Sequence, residues 1–281
     1  MMDARRTFPR DDRVLPFTRG LALFITPFLL VAFVILYLFP THTGRLWAWQ
    51  IPATMTSMVL ASAYVGGAYF FLLVAGERQW HRVGAGFLAV TTFAGLLGVA
   101  TVLHWDRFLH HHVSFWLWAG LYFTAPFAVI GAWLANRRYA APAAPGDVML
   151  SPAERTAVGL VGLLALVQGV LMFLVPSAVI GHWPWPLTPL TCRVVGAVFC
   201  LGCAGLGAWR DARWTSIRVM LQVEVLMLVL MLLAAFRARD EMIAGRAFTW
   251  PLLVGVPLTL AGSGYLWMSH ERRGRVRAPA L

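Results

Sequence analysis

Lysine is absent from the 281 residues, and that absence excludes several chemistries. A retinal or pyridoxal Schiff base needs a lysine amine, and a phosphate-binding G-x-x-x-x-G-K loop needs a lysine cation. H-E-x-x-H, G-x-S-x-G and G-x-G-x-x-G are missing as well, which leaves nucleotide and hydrolase chemistry without support. Charge of either sign is scarce, at 12% of residues against about 25% in soluble proteins. The only cysteines, Cys192, Cys200 and Cys203, share one apolar stretch, so no disulfide framework is indicated on an oxidising face.

What fills the chain instead is hydrocarbon: 59% of residues are hydrophobic and the mean hydropathy is +0.70. The apolar residues form eight blocks, near 21 to 39, 50 to 76, 83 to 104, 113 to 135, 156 to 175, 189 to 209, 219 to 236 and 249 to 268. Each is long enough to cross about 30 Å of bilayer, so an all-α integral membrane protein of eight transmembrane helices is predicted. The basic start before Leu21 leads into a run too long for a secretory signal, with no small-x-small cleavage pattern before Pro40, and is read as a retained first span.

The net charge of +11 is explained by orientation and does not point to nucleic acid. Seventeen arginines fall in alternate loops and both tails, against six on the other side, which predicts both termini cytoplasmic in a multi-pass protein of the cell membrane. The thirteen tryptophans fit two aromatic belts, with Trp47, Trp49, Trp105, Trp116, Trp118, Trp183, Trp185 and Trp250 at the outer boundary and Trp80, Trp133, Trp209, Trp214 and Trp267 at the inner one.

The chain also repeats itself. Leu38-Phe39-Pro40 followed by Trp47-Ala48-Trp49 returns 136 positions later as Leu174-Val175-Pro176 followed by Trp183-Pro184-Trp185. Trp133 with Arg137-Arg138 closes one copy, and Trp267 with Arg272-Arg273 closes the other. A tandem duplication of a four-helix unit follows. The predicted organisation is a cytoplasmic tail (1–20), a first repeat (21–138), a cytoplasmic linker (139–155), a second repeat (156–270) and a basic tail (271–281). Ser151-Pro152-Ala153-Glu154 reads as the capped start of the fifth helix. Arg193 opening a helix with Gly196, Gly202 and Gly205 resembles one helix of DoxX-like four-helix membrane proteins; the likeness covers that span alone, and no function is carried over from it.

Glu224 stands out among candidate site residues, about six residues inside the predicted seventh span, where an ionised carboxylate is costly. Met220, Met227 and Met231 share its stripe at steps of 4, 3 and 4, and Gln222 is a polar neighbour. The functional reading is a proton or cation site; the bland one is an acid hydrogen-bonded to the next helix, with methionine filling gaps. Cys192, Gly196, Cys200, Cys203 and Gly207 line one face of the preceding span. Sulfur from Cys200 and Cys203 with Met220 and Met227 would suit monovalent copper. Small residues letting helices approach closely is the better reading, because three soft ligands without histidine are a weak metal signal.

His104, Asp106 and His110 cluster after the third span as candidates for a metal, which Asp and His can ligate. Pro126 and Pro257 stand at roughly corresponding depth in the fourth and eighth spans, either as helix breaks of the kind that mark transporter sites at repeat interfaces or as kinks that membrane helices tolerate. The readings rank a carrier for a small solute or ion first, with Glu224 handling charge. A non-catalytic accessory or scaffold subunit comes second and an enzyme last. Expected partners are the lipid bilayer and another membrane protein or a second copy, not nucleic acid; no particular cofactor is indicated.

Overall fold

The computed structural model describes residues 11–277, with side chains to Arg272; the predicted tails beyond these limits lie outside the described residues. Eight helices are long and apolar enough to span a membrane: α1 (Pro16–Leu38), α2 (Thr54–Gly76), α3 (Gly84–Leu103), α4 (Val113–Tyr139), α5 (Pro152–Leu174), α6 (Pro189–Arg210), α7 (Trp214–Arg237) and α8 (Thr249–Arg272). Helices satisfy their backbone groups internally, as a chain immersed in hydrocarbon must.

Local chemistry sets the boundaries. Ser151 and Glu154 form the expected reciprocal cap of α5: Ser151 Oγ accepts from the Glu154 amide (3.3 Å) and Glu154 Oε2 accepts from the Ser151 amide (2.7 Å). Two other helices also start earlier than their apolar blocks. α1 begins at Pro16, held by the chain's single asparagine, Asn136 at the end of α4, whose Oδ1 accepts from the Leu15 amide at 2.9 Å. α7 begins at Trp214 because Arg218, where the apolar run stops, is accommodated in the second turn by an ion pair with Glu271 (3.1 Å).

The prolines do not break their helices. Pro126, Pro257 and a third, Pro27, all lie inside continuous α-helix. Neighbouring groups and small backbone adjustments absorb the lost hydrogen bond in membrane helices. The irregular segments lie elsewhere, in a π-helical end to α1 (Val34–Leu38) and a six-residue 3-10 stretch within α6 (Leu201–Leu206).

Packing follows sequence order within each half and crosses between halves at the centre. α1 packs on α2 and α5 on α6, while α3 pairs with α4 and α7 with α8. Across the middle, α2 meets α7 and α3 meets α6. The consecutive helices α4 and α5 make no extended contact, and neither do α8 and α1. The α5–α6 seam rests on glycine: a Cβ on Gly169 would stand 2.5 Å from the Gly196 oxygen, and one on Gly196 would stand 2.7 Å from the Gly169 oxygen. The small-residue face on α6 is therefore a close-packing surface.

One end of the bundle, called the near end below, holds the start of α1 and α5, the α2–α3 and α6–α7 loops and the ends of α4 and α8. Its backbone hydrogen bonds recur. The Val14 amide donates to Arg78 O and the Leu150 amide to Ala212 O; the Trp80 amide donates to Asp12 O and the Trp214 amide to Val148 O. Isolated bridges pair Arg13 with Gln79 and Met149 with Arg213 in the same way.

The tryptophans depart from the expected belts. Trp47, Trp49, Trp118, Trp183, Trp185, Trp80 and Trp214 are buried in protein, and Trp185 is fully enclosed. Trp49 stacks edge to face on Trp118 (4.8 Å) and Trp47 on the same ring (5.6 Å). Ring-to-ring packing of this kind competes with the membrane interface for the same side chains. Trp105, Trp116, Trp209 and Trp250 are the ones that remain exposed.

Candidate functional site

The interior holds a cavity of about 1670 Å³ lined by residues from all eight helices. Its walls are apolar over most of their length, with Phe70, Val90, Phe93, Met220, Met227 and Leu266 among them. Polar groups are few at depth: Thr91 and Thr92, whose hydroxyls donate to carbonyls of their own helix, and Cys203, Thr259, Ser263 and Glu224. Glu224 lies ten residues into α7, roughly 15 Å along its axis and therefore near mid-span, deeper than the sequence block implied. Ser263 of α8 donates to its Oε2 at 3.3 Å. Among the described residues it has no ion pair.

The other sequence candidates divide. Met220 and Met227 line the same cavity and fill space left by glycines, Met227 over Gly66 of α2 and Met220 over Gly86 of α3. Gln222, two residues from Glu224, points elsewhere and is not part of the lining. Cys203 borders the cavity against Thr92, whereas Cys200 is buried against Gly169 of α5 and Cys192 donates to Met172 O. Cys203 thus shares the cavity with Met220 and Met227, while Cys192 and Cys200 are buried against α5. Pro126 and Pro257 do not border the cavity either.

The histidine cluster also disperses. His104 Nε2 accepts from Arg193 Nη1 at 2.8 Å, Asp106 pairs with Arg107, and His110 stacks on Trp105 and Phe115. Burial and the adjacent Arg193 hold the His104 imidazole below its ordinary range, so it is a neutral acceptor. Among the described residues no three His, Cys, Asp or Glu side chains converge as a metal site.

Two sets of ties join the halves, and sequence reasoning missed both. At the near end Asp12 Oδ2 accepts from His81 Nδ1, and His81 Nε2 meets Thr215 Oγ1 at 3.1 Å. Burial pushes the Asp12 carboxyl up, but the hydrogen bonds and charge of His81 outweigh it and leave the group below the usual range. With Asp12 fixing Nδ1, Nε2 faces the Thr215 hydroxyl at the near end of the cavity, which His81 lines. Beside them Asp211 accepts from Arg213 (2.6 Å) and Ser216 (2.7 Å). At the far end Glu241 caps α2, its Oε1 accepting from the Thr54 amide (2.8 Å) and hydroxyl (2.6 Å) and its Oε2 from the Met55 amide (3.0 Å). Trp185 Nε1 donates to Thr56 Oγ1 at 2.8 Å.

The lining is not symmetric between the ends. Near-end residues His81, Arg137, Arg138, Glu154, Arg210, Asp211 and Arg213 border the cavity. Toward the far end it reaches the buried pair in which Tyr122 donates to Tyr64 (2.8 Å), and the tryptophan cluster lies outside it. The cavity therefore communicates with the near end and is stopped at the far end by packed aromatic rings. Compared with protein families, curated proteins and solved structures, the chain finds no match, and the DoxX-like resemblance gains no support.

Proposed function

We propose that the protein is a carrier in which Glu224 handles charge and the central cavity holds the solute. The observation that carries this reading is the lone carboxyl at mid-span, bordering the cavity with a single hydroxyl donor and no cationic partner among the described residues. A group of this kind binds a proton or a cation, since an unpaired carboxylate in hydrocarbon is costly. The walls refine the solute. Apolar and aromatic side chains cannot replace the water around a hydrophilic ion, so the suited solute is a lipophilic cation, drawn by Glu224 and accommodated by rings such as Phe70 and Phe93. Access for such a molecule lies between α8 and α1, which both line the cavity without packing together.

The bundle is read as two fused four-helix units of one insertion sense, in a cell membrane, with both termini cytoplasmic. The near-end hydrogen bonds that recur 134 to 136 positions apart support the duplication, as do the crossed contacts α2–α7 and α3–α6. Terminal tags reacting from one face only would check the orientation. A scaffold role is the second reading, supported by α8, which packs chiefly on α7 and leaves its outer side free for a partner helix.

Binding separates the two. Purified protein is expected to bind tetraphenylphosphonium saturably, with protons competing, and Glu224→Gln is expected to abolish that binding. Equal binding by the variant would remove Glu224 from its role, and no binding by the unaltered protein would favour the scaffold.

A further inference from the structure

The side of the cavity between α4 and α5 differs in chemistry from the side that holds Glu224. Val129 and Trp133 of α4 and Ala157 and Val161 of α5 line it, and these consecutive helices make no extended contact. Val161 is 39% exposed, so this apolar surface continues to the outside of the bundle, where lipid chains lie. At its near end stand Arg137 and Arg138, in the last turn of α4, and Arg210, which closes α6.

Among the described residues, charge at this end is uncompensated by carboxylates. The two carboxylates bordering it are engaged, Glu154 by the Ser151 amide and His270 (3.2 Å) and Asp211 by Arg213 (2.6 Å). Among the described residues no carboxylate pairs with Arg137, Arg138 or Arg210. Arg137 lies over the Trp133 ring at 5.1 Å, which positions the guanidinium while leaving its forked donors free. Three cations therefore sit at the polar end of an apolar channel.

We propose that the α4–α5 side is a binding site for an acidic amphiphile, its anionic head on Arg137, Arg138 and Arg210 and its apolar chain between α4 and α5. An inorganic anion would satisfy the arginines and leave the channel unfilled. An uncharged or zwitterionic lipid would fill the channel and leave net positive charge at its mouth. Only a molecule with both parts complements both, and the cavity of about 1670 Å³ exceeds the 300–1,000 Å³ usual for small-ligand sites. The site does not depend on Glu224 and stands whether the protein is a carrier or a scaffold.

The test uses the full chain purified in an uncharged detergent, with radiolabelled dioleoyl phosphatidic acid as probe. Dioleoyl phosphatidylcholine and inorganic phosphate serve as competitors. Phosphatidic acid is expected to bind saturably and to be displaced by neither competitor at equal concentration. In the triple variant Arg137→Gln, Arg138→Gln, Arg210→Gln, binding should weaken on the order of 100-fold, from about fivefold per arginine at a membrane surface. Ala157→Trp, which keeps every arginine and obstructs the channel, should weaken it too and decides the matter if the triple variant does not fold. Undiminished binding in Ala157→Trp, or in a folded triple variant, would overturn the proposal. So would displacement by phosphatidylcholine, which reports chains alone, or by phosphate, which reports the head alone.

Discussion

His104 shows how a single side chain can carry information that its position in the sequence does not. Read as one of a histidine cluster it suggested a metal; in place it accepts from Arg193 of the other half. Burial and that arginine lower its proton affinity in the folded protein. A folded value below the ordinary 6.5 means the tie contributes fully above that pH and is lost as pH falls through the lower folded value. Thermal unfolding is therefore expected to show a stability decline below about pH 6.5 that His104→Gln, which cannot titrate, lacks. An identical decline in the variant would place the pH sensitivity elsewhere. Glu224 was legible as an isolated acid in an apolar run, because such a residue is costly wherever the helix turns. The Asp12–His81–Thr215 tie was not, because these residues belong to three distant segments, two loops and the first turn of α7, where each is unremarkable. The available signal was the repeat itself, which sets His81 after Trp80 and Thr215 after Trp214.

Helices were read from length and hydropathy, and all eight are present. Their ends were less legible, since apolar runs stop at the first charge while α7 carries Arg218 within the helix by pairing it with Glu271. The prolines were expected to mark interruptions, yet α1 and α6 are irregular through π and 3-10 segments that no proline announces. The small-residue face of α6 that holds Gly196 is legible in the sequence as a packing face, its partner Gly169 on α5 is not, and their contact is tight enough to test. Gly169→Leu must push α5 away from the Gly196 carbonyl, at a cost of about 1–3 kcal/mol. Gly181, where an added Cβ meets nothing within 4 Å, provides the control as Gly181→Ala. A lowered Tm in detergent for the first and not the second is the expected result; equal Tm values would mean the helices separate freely.

At the scale of the molecule, the halves are tied at both ends around the central cavity. The ties differ in kind. Far-end rings are packed and buried, and the Glu241 carboxylate holds the start of α2. The near end is polar, with charged groups bordering the cavity. On the proposed carrier reading, the cavity is open to the near end at rest. The recurring sequence points to two halves and the basic loops to an orientation, but the cavity arises from the crossed packing of α2 on α7 and α3 on α6, which no local pattern encodes. The most direct measurement is uptake of a lipophilic cation into vesicles containing the protein, driven by an outward proton gradient. Uptake above that of empty vesicles, abolished by Glu224→Gln and retained in part by Glu224→Asp, is the predicted result. Uptake at the same rate in the Gln variant and the unaltered protein would contradict it.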